Sequence, residues 1–217
     1  METQRLAIID LDGTLLKGTS AERSFFVFLV RRAKIGPARL VLFLVTFFRD
    51  TIRLGFRRAV GSNISYLRGE TPERVEAWAD EYGRQDPYDA IPPELMNKVA
   101  GLKGSGCRLV LLSGSLQILV NLFRLALGAD MAIGQQLEIV GGKLTGRKSG
   151  IYPFGAEKLD ALFARIDPGT IDWPNSWALA DRLWDLPVLE RVGHPVAVHP
   201  DAGLRRHAQQ KGWEIIG

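Results

Sequence analysis

Asp10, Asp12, Ser113, Lys158, Asp181 and Asp185 are side chains of the types that together handle a bound oxyanion. Asp10 and Asp12 close the apolar run Leu6-Ala7-Ile8-Ile9 and are followed at once by Gly13 and Thr14. One residue apart in extended backbone, the two carboxylates lie on one face and can reach one ligand. Like charges that close repel unless a cation sits between them or one keeps its proton, and both states are useful in catalysis. Ser113 and Gly114 follow Leu109-Val110-Leu111-Leu112, Asp181 follows Trp177-Ala178-Leu179-Ala180, and Lys158 ends Gly155-Ala156-Glu157-Lys158. Carboxylates, a hydroxyl, a helix N-terminus and an ammonium make a hard oxygen site suited to Mg²⁺ and a phosphoryl group.

These residues need a scaffold that brings distant parts of the chain together. The apolar runs ending at Ile9, Leu112 and Ala180 read as buried parallel strands. In an open α/β sheet the carboxyl ends of such strands, beside helix N-termini, are where anions bind. A helix over 94–103 leads into the strand at 109–112, and another over 116–127 follows Ser113-Gly114-Ser115. Met131–Ile133 reads as a short strand, Glu138–Gly146 as a hairpin turning at Gly141-Gly142, and Leu186–Val192 as a helix. Between the first and second of these motifs the pattern changes. Residues 20–85 read as helical, with Ser20 as an N-cap, a stop at Gly36-Pro37, and a further helix starting at Thr71-Pro72-Glu73. The expected fold is α/β: a Rossmann-like parallel sheet formed by 1–16 and 92–217, with a small inserted helical domain at 17–91.

Composition narrows the classes. The chain has 217 residues, 46% hydrophobic and 24% charged, with a net charge of +4, which fits a globular domain plus a module. A single cysteine, Cys107, allows no intrachain disulfide and sits in an apolar segment as a buried thiol. A cytoplasmic, reducing location is expected, the N-terminus lacking the basic-then-apolar pattern of a secretory signal. Arginine and lysine are scattered without interleaved aromatics, so no nucleic-acid partner is expected. Leu40 to Phe48 is apolar all round and flanked by Arg31, Arg32, Lys34, Arg39, Arg49, Arg53, Arg57 and Arg58. It is about half the length of a membrane span. We read it as a buried helix with a basic rim, and peripheral membrane contact through it as the other reading.

The Asp-X-Asp-Gly-Thr run, the strand-Ser-helix element, the Gly-X-X-Lys element and the strand-ending Asp181, in that order, resemble the four motifs of the haloacid dehalogenase-like phosphohydrolases. The run from Asp181 through Gly193-His194-Pro195 to Pro200-Asp201 is similar to the phosphoserine phosphatase-like branch with a helical cap between motifs one and two. This resemblance implies a Mg²⁺-dependent phosphomonoester phosphatase acting on a small phosphorylated substrate. It makes Asp10 the nucleophile and Asp12 the acid and base. It gives Thr14, Ser113, Gly114 and Lys158 to the phosphate. The Asp10 and Asp181 carboxylates and the Asp12 carbonyl go to the metal, with Asp185 supporting from behind. An acid at position 12 argues against a pump-like ATPase, which must preserve its phospho-aspartate.

Departures from the pattern bear on substrate. Arg182 follows Asp181 where a small residue is usual; it either points away from the site, the reading we favour, or reaches the phosphate. Glu22 is the nearest candidate for an acid holding a substrate ammonium, yet out of the register expected, which speaks against phosphoserine. Histidinol phosphate, other small phosphomonoesters and lipid phosphates of the phosphatidylglycerophosphate type remain. A non-catalytic binding protein on the same fold is the rival from another class. His194 and His199 read as structural strand-end residues, and His207 as exposed.

Overall fold

In a computed structural model describing residues 3–54 and 63–217, one seven-stranded sheet runs through the described residues. Its strands are β1 (Leu6–Ile9), β2 (Arg108–Leu116), β3 (Met131–Val140), β4 (Lys143–Ser149), β5 (Trp177–Ala180), β6 (His194–Val198) and β7 (Glu214–Ile216). Their spatial order is β4-β3-β2-β1-β5-β6-β7, parallel throughout except for the β3–β4 pair. β1 is central, with Ile9 opposite Leu111 of β2 and Leu179 of β5. The residues just beyond these three therefore meet at one end of the sheet, which is where Asp10, Ser113 and Asp181 stand.

Strand periodicity explains how both faces are covered. Leu6 and Ile8 join Val110, Leu112, Ala178 and Ala180 in the core on one side, while Ala7 and Ile9 join Leu109, Leu111 and Leu179 on the other. That second core continues without a break into the helical segment through Phe25, Phe28, Leu29, Tyr66, Val75 and Trp78.

The helical segment contains α1 (Ala21–Arg31), α2 (Pro37–Leu54) and α3 (Pro72–Gly83). Ser20 caps α1 by accepting from the Arg23 N–H at 3.2 Å, and Thr71 caps α3 by accepting from that of Arg74 at 3.4 Å. Both starts were expected, the first from Ser20 as a cap and the second from Pro72 and Glu73 in its first turn. Four further helices are α4 (Pro93–Gly104), α5 (Gln117–Leu127), α6 (Glu157–Phe163) and α8 (Ala202–Lys211), with the single turn α7 (Leu186–Leu189) before α8.

Several elements differ from expectation. β2 runs on through Ser113-Gly114-Ser115 to Leu116, its register against β3 shifting between Leu112 and Leu116. The short strand and the hairpin arm expected separately are one strand, β3, which leaves β2 and turns to antiparallel pairing with β4. Gly134 lies within the pairing with β2, at the register shift between Ile133 and Gln135, and a Cβ there would stand 2.7 Å from the Gln117 Cα; pairing with β4 begins at Gln136. α7 is shorter than the helix expected to run to Val192. His207 is half-buried rather than exposed, 3.2 Å from Glu190 and edge-on to Trp213. Arg57 and Arg58 lie outside the described residues. Among the described residues, no helix is long and apolar enough to cross a membrane.

Candidate active site

The loop after β1 is closed by its own backbone. Leu16 N–H donates to the Leu11 carbonyl at 2.9 Å and Gly13 N–H to the Leu16 carbonyl at 3.0 Å. Gly13 has φ of 87°, and a Cβ on it would fall 2.2 Å from Asp181 Oδ2. Glycine is therefore required twice over, by the turn and by the acid packed against it. Thr14, fully buried, donates from Oγ1 to Asp10 Oδ2 at 2.9 Å and lies 3.4 Å from Asp181 Oδ1.

Asp10 and Asp12 turn to different partners. Asp10 Oδ1 is 2.7 Å from Lys158 Nζ, which lies 2.8 Å from Asp185 Oδ1 as well. Burial opposes the charge on Lys158, but the carboxylates of Asp10 and Asp185 overcome it and hold the ammonium above its ordinary range. Lys158, on the first turn of α6, is thus a buried partner of two acids rather than a solvated surface lysine.

Asp12 faces the β2 end and the start of α1. Its Oδ2 accepts from Ser113 Oγ at 2.9 Å and Ser115 Oγ at 2.6 Å, and its Oδ1 accepts from the Ala21 N–H at 2.8 Å. Burial and then the nearby Asp10 carboxylate push its carboxyl above the usual range, against these three donors. The result is a carboxyl with a raised proton affinity in a fixed orientation. Ser115 and the N-terminus of α1 were not singled out from the sequence. The alternation in Ser113-Gly114-Ser115, which puts both hydroxyls on one face of an extended strand, was the available signal.

Asp181 completes a buried acidic cluster. One ligand atom from each of Asp10, Asp181 and Asp185 can be chosen so that all lie within 4.8 Å of one another. Burial, then Asp10, pushes Asp181 up to about 7, and burial with the Asp10 charge pushes Asp185 to about 6 despite Lys158. Three carboxylates against the buried Lys158 and the half-exposed Arg182 are left with an excess of negative charge, and all their ligand atoms are hard oxygens. The set fits a small divalent cation. The Asp12 carboxylate is not among these acids: its oxygens are taken up by Ser113, Ser115 and the Ala21 N–H.

Arg182 does not point away from the site, the reading favoured for it. Its Nε lies 2.7 Å from Asp181 Oδ2 while the guanidinium stacks over Trp184 with its side chain 46% exposed. Glu22 also departs from expectation. Carried on the first turn of α1, it points into the site, where Lys148 of β4 lies 3.4 Å from its carboxylate. Burial, and to a lesser degree Asp12, raises the Glu22 carboxyl. Lys148 sits over the Tyr152 ring at 5.1 Å, and that ring packs on Gly114, where a Cβ would meet it at 3.2 Å. The Tyr152 hydroxyl is pushed up to about 12 by burial and by Glu22 and Asp12. His199 stays outside this constellation at the end of β6, beside Gly217, and His194 stacks on Trp177 at 4.5 Å.

A parallel sheet with four motifs at its carboxyl edge and an acid cluster beneath a buried lysine defines a hydrolase class. The chain belongs to the haloacid dehalogenase-like hydrolases, whose family model matches residues 7–190. It is similar to a probable phosphatase of Mycobacterium tuberculosis, 32% identical over 133 residues covering 59% of this chain. The match spans about half of that relative, 46% of its length. It is also similar to a histidinol-phosphatase of Neisseria meningitidis, 25% identical over 98% of both chains. Among solved structures, a protein of unknown function from Bordetella pertussis Tohama I superposes with a TM-score of 0.83 at 26% identity, covering 99% of each chain. A phosphoserine phosphatase in its apo form gives 0.62 at 21% identity, over 99% of this chain and 94% of that one, and shares the fold.

Proposed function

We propose that this chain is a phosphomonoester phosphatase that works through an aspartyl-phosphate on Asp10, with Mg²⁺ as its metal and a small phosphorylated molecule as substrate. The observation that carries this reading is the division between two acids one residue apart. Asp10 faces an ammonium, and Asp12 has its proton affinity raised in a cradle of hydroxyl and N–H donors. A nucleophile and a general acid need those opposite settings.

In the first step an Asp10 carboxylate oxygen attacks phosphorus, the bond from phosphorus to the leaving oxygen breaks, and Asp12 passes its proton to that oxygen. In the second, Asp12 takes a proton from water, the water oxygen attacks phosphorus, and the aspartyl oxygen leaves as carboxylate. Lys158, Ser113, Thr14 and the main chain at Gly114 hold the phosphoryl oxygens, and Lys158 also offsets their charge. Asp10, Asp181 and the Asp12 carbonyl would hold Mg²⁺, which would supply positive charge to offset the negative charge of the phosphoryl group. Asp185 positions Lys158.

Residues 17–91 act as a cap over the core formed by 1–16 and 92–217. Support comes from Glu22, which α1 brings close enough to Asp12 for its charge to be felt, and from the exchange of main-chain hydrogen bonds between Leu144 of β4 and the 69–70 segment. Glu22 is already ion-paired with Lys148, so the leaving group meets an acceptor and a donor together. Hydrolysis of p-nitrophenyl phosphate with Mg²⁺, and its loss on chelation, tests the reading. A folded protein without turnover on it or on a panel of phosphomonoesters would leave only a binding role.

A further inference from the structure

Helix α2 presents its apolar side chains outward. Val41, Leu44, Val45, Phe48 and Ile52 are 59%, 55%, 60%, 69% and 72% exposed. At about 100° per residue they fall in one stripe on the side opposite Phe43, which packs on Phe26 and Tyr66 at ring distances of 4.7 and 5.7 Å. The stripe is about 16 Å long, and it forms a continuous patch rather than scattered surface residues. The reading of this helix as buried therefore fails for half of its circumference.

What borders the stripe is positively charged. Arg49 and Arg53 are exposed and follow Phe48 and Ile52 by one residue each, so they line one edge of it for a full turn. The α2 sequence holds three arginines, Arg39, Arg49 and Arg53, against one acid, Asp50. α1, packed against α2 through Phe26 and Phe43, ends in exposed Arg31 and is followed by exposed Arg32.

We propose that this face of α2 docks on a bilayer surface containing anionic lipid. The helix would lie in the plane of the interface, with the stripe entering the boundary between head groups and acyl chains and the arginine edge meeting lipid phosphates. The contact is peripheral, since α2 is too short and polar to span. A second copy of this chain fits the patch less well. Two-fold pairing sets identical surfaces together, and the exposed charges along the stripe, Arg49 and Arg53, would meet their own copies.

The test is co-sedimentation of the full chain with phosphatidylcholine vesicles, with and without phosphatidylglycerol, at low and high salt. The protein should pellet with phosphatidylglycerol vesicles at low salt, and less so at high salt. Phe48→Glu should weaken partitioning at least about tenfold and Arg53→Glu at least about fivefold. Both variants should keep the parent's circular dichroism and melting midpoint. Should Phe48→Glu fail to fold, Val45→Ser gives the same reading with a smaller loss. Protein that stays in the supernatant at low salt, or pelleting indifferent to the stripe variants, overturns the proposal. So does a concentration-dependent dimer that Phe48→Glu dissociates while vesicles capture neither form.

Discussion

Two regions of this molecule break the ordinary rule of burial in opposite directions. At the carboxyl edge of the sheet, Asp10, Asp181 and Asp185 are buried acids in excess of the cations beside them, Lys158 and Arg182. On α2, Val41, Leu44, Val45, Phe48 and Ile52 are apolar groups left in water. Each arrangement is unfavourable for the isolated chain, and each becomes favourable when something else supplies what is missing: a cation and a phosphoryl group in the first case, an apolar phase in the second. Strain of either kind marks where a fold serves something other than its own stability.

Variants should therefore separate the two regions. The largest effect belongs to Asp10→Asn, which removes the nucleophile and should cut p-nitrophenyl phosphate turnover by about 10⁴-fold or more. It also removes one of three crowded acids, so its thermal midpoint without metal should not fall. A large drop in midpoint would mean that Asp10 is structural. Asp12→Asn should cost about 10²- to 10⁴-fold in turnover, with the loss smallest for substrates whose leaving group needs no proton. An equal loss for good and poor leaving groups would deny Asp12 the acid role.

The acid cluster also predicts how stability depends on pH. Folding raises the Asp181 carboxyl from 3.8 to about 7 and that of Asp185 from 3.8 to about 6. An acid whose affinity for protons is higher in the folded state stabilises the fold fully below its unfolded value. That contribution disappears as pH climbs through the folded value. Without metal, the melting midpoint should fall between about pH 4 and about pH 7 from these two groups. Mg²⁺ should restore it, and by more at about pH 8 than at about pH 5, because protons compete for the same oxygens. A Mg²⁺ effect independent of pH would remove Asp181 from the metal site.

The smallest expected effect concerns substrate choice. Lys148→Met leaves Glu22 without its cation, so substrates bearing an ammonium near the phosphate should gain by a few-fold to about tenfold in kcat/KM relative to neutral ones, the range of one exposed-to-buried ion pair. No change in that ratio would show that the Glu22–Lys148 pair lies away from the leaving group.

The sheet and the order of its motifs were legible because buried parallel strands leave long apolar runs, and Asp10, Asp181 and Lys158 stand at fixed steps from them. What was not legible depends on rotations that local patterns do not fix. Glu22 looked out of register because counting along a chain ignores how a helix is turned; Ser20 as cap and the Ala21 N–H on Asp12 set that turn. Arg182 was expected to leave the site, yet an unpaired buried carboxylate beside it is a stronger attraction than water. The continuity of β3 was hidden because one strand changes partners between Gln135 and Gln136, and a pairing switch has no signature in alternation. For α2, an apolar circumference is compatible with burial or with an interface, and only the packing of Phe43 against Phe26 and Tyr66 shows which side is free.

The central claim is that Asp10 carries the phosphoryl group between the two steps. Rapid quenching of the Asp12→Asn variant during turnover of a substrate with a good leaving group, followed by peptide mass spectrometry, measures this directly. The account predicts a phosphoryl adduct on the peptide containing Asp10, longer-lived than in the parent protein and absent from Asp10→Asn. An adduct on another residue, or labelling that persists in Asp10→Asn, would contradict it.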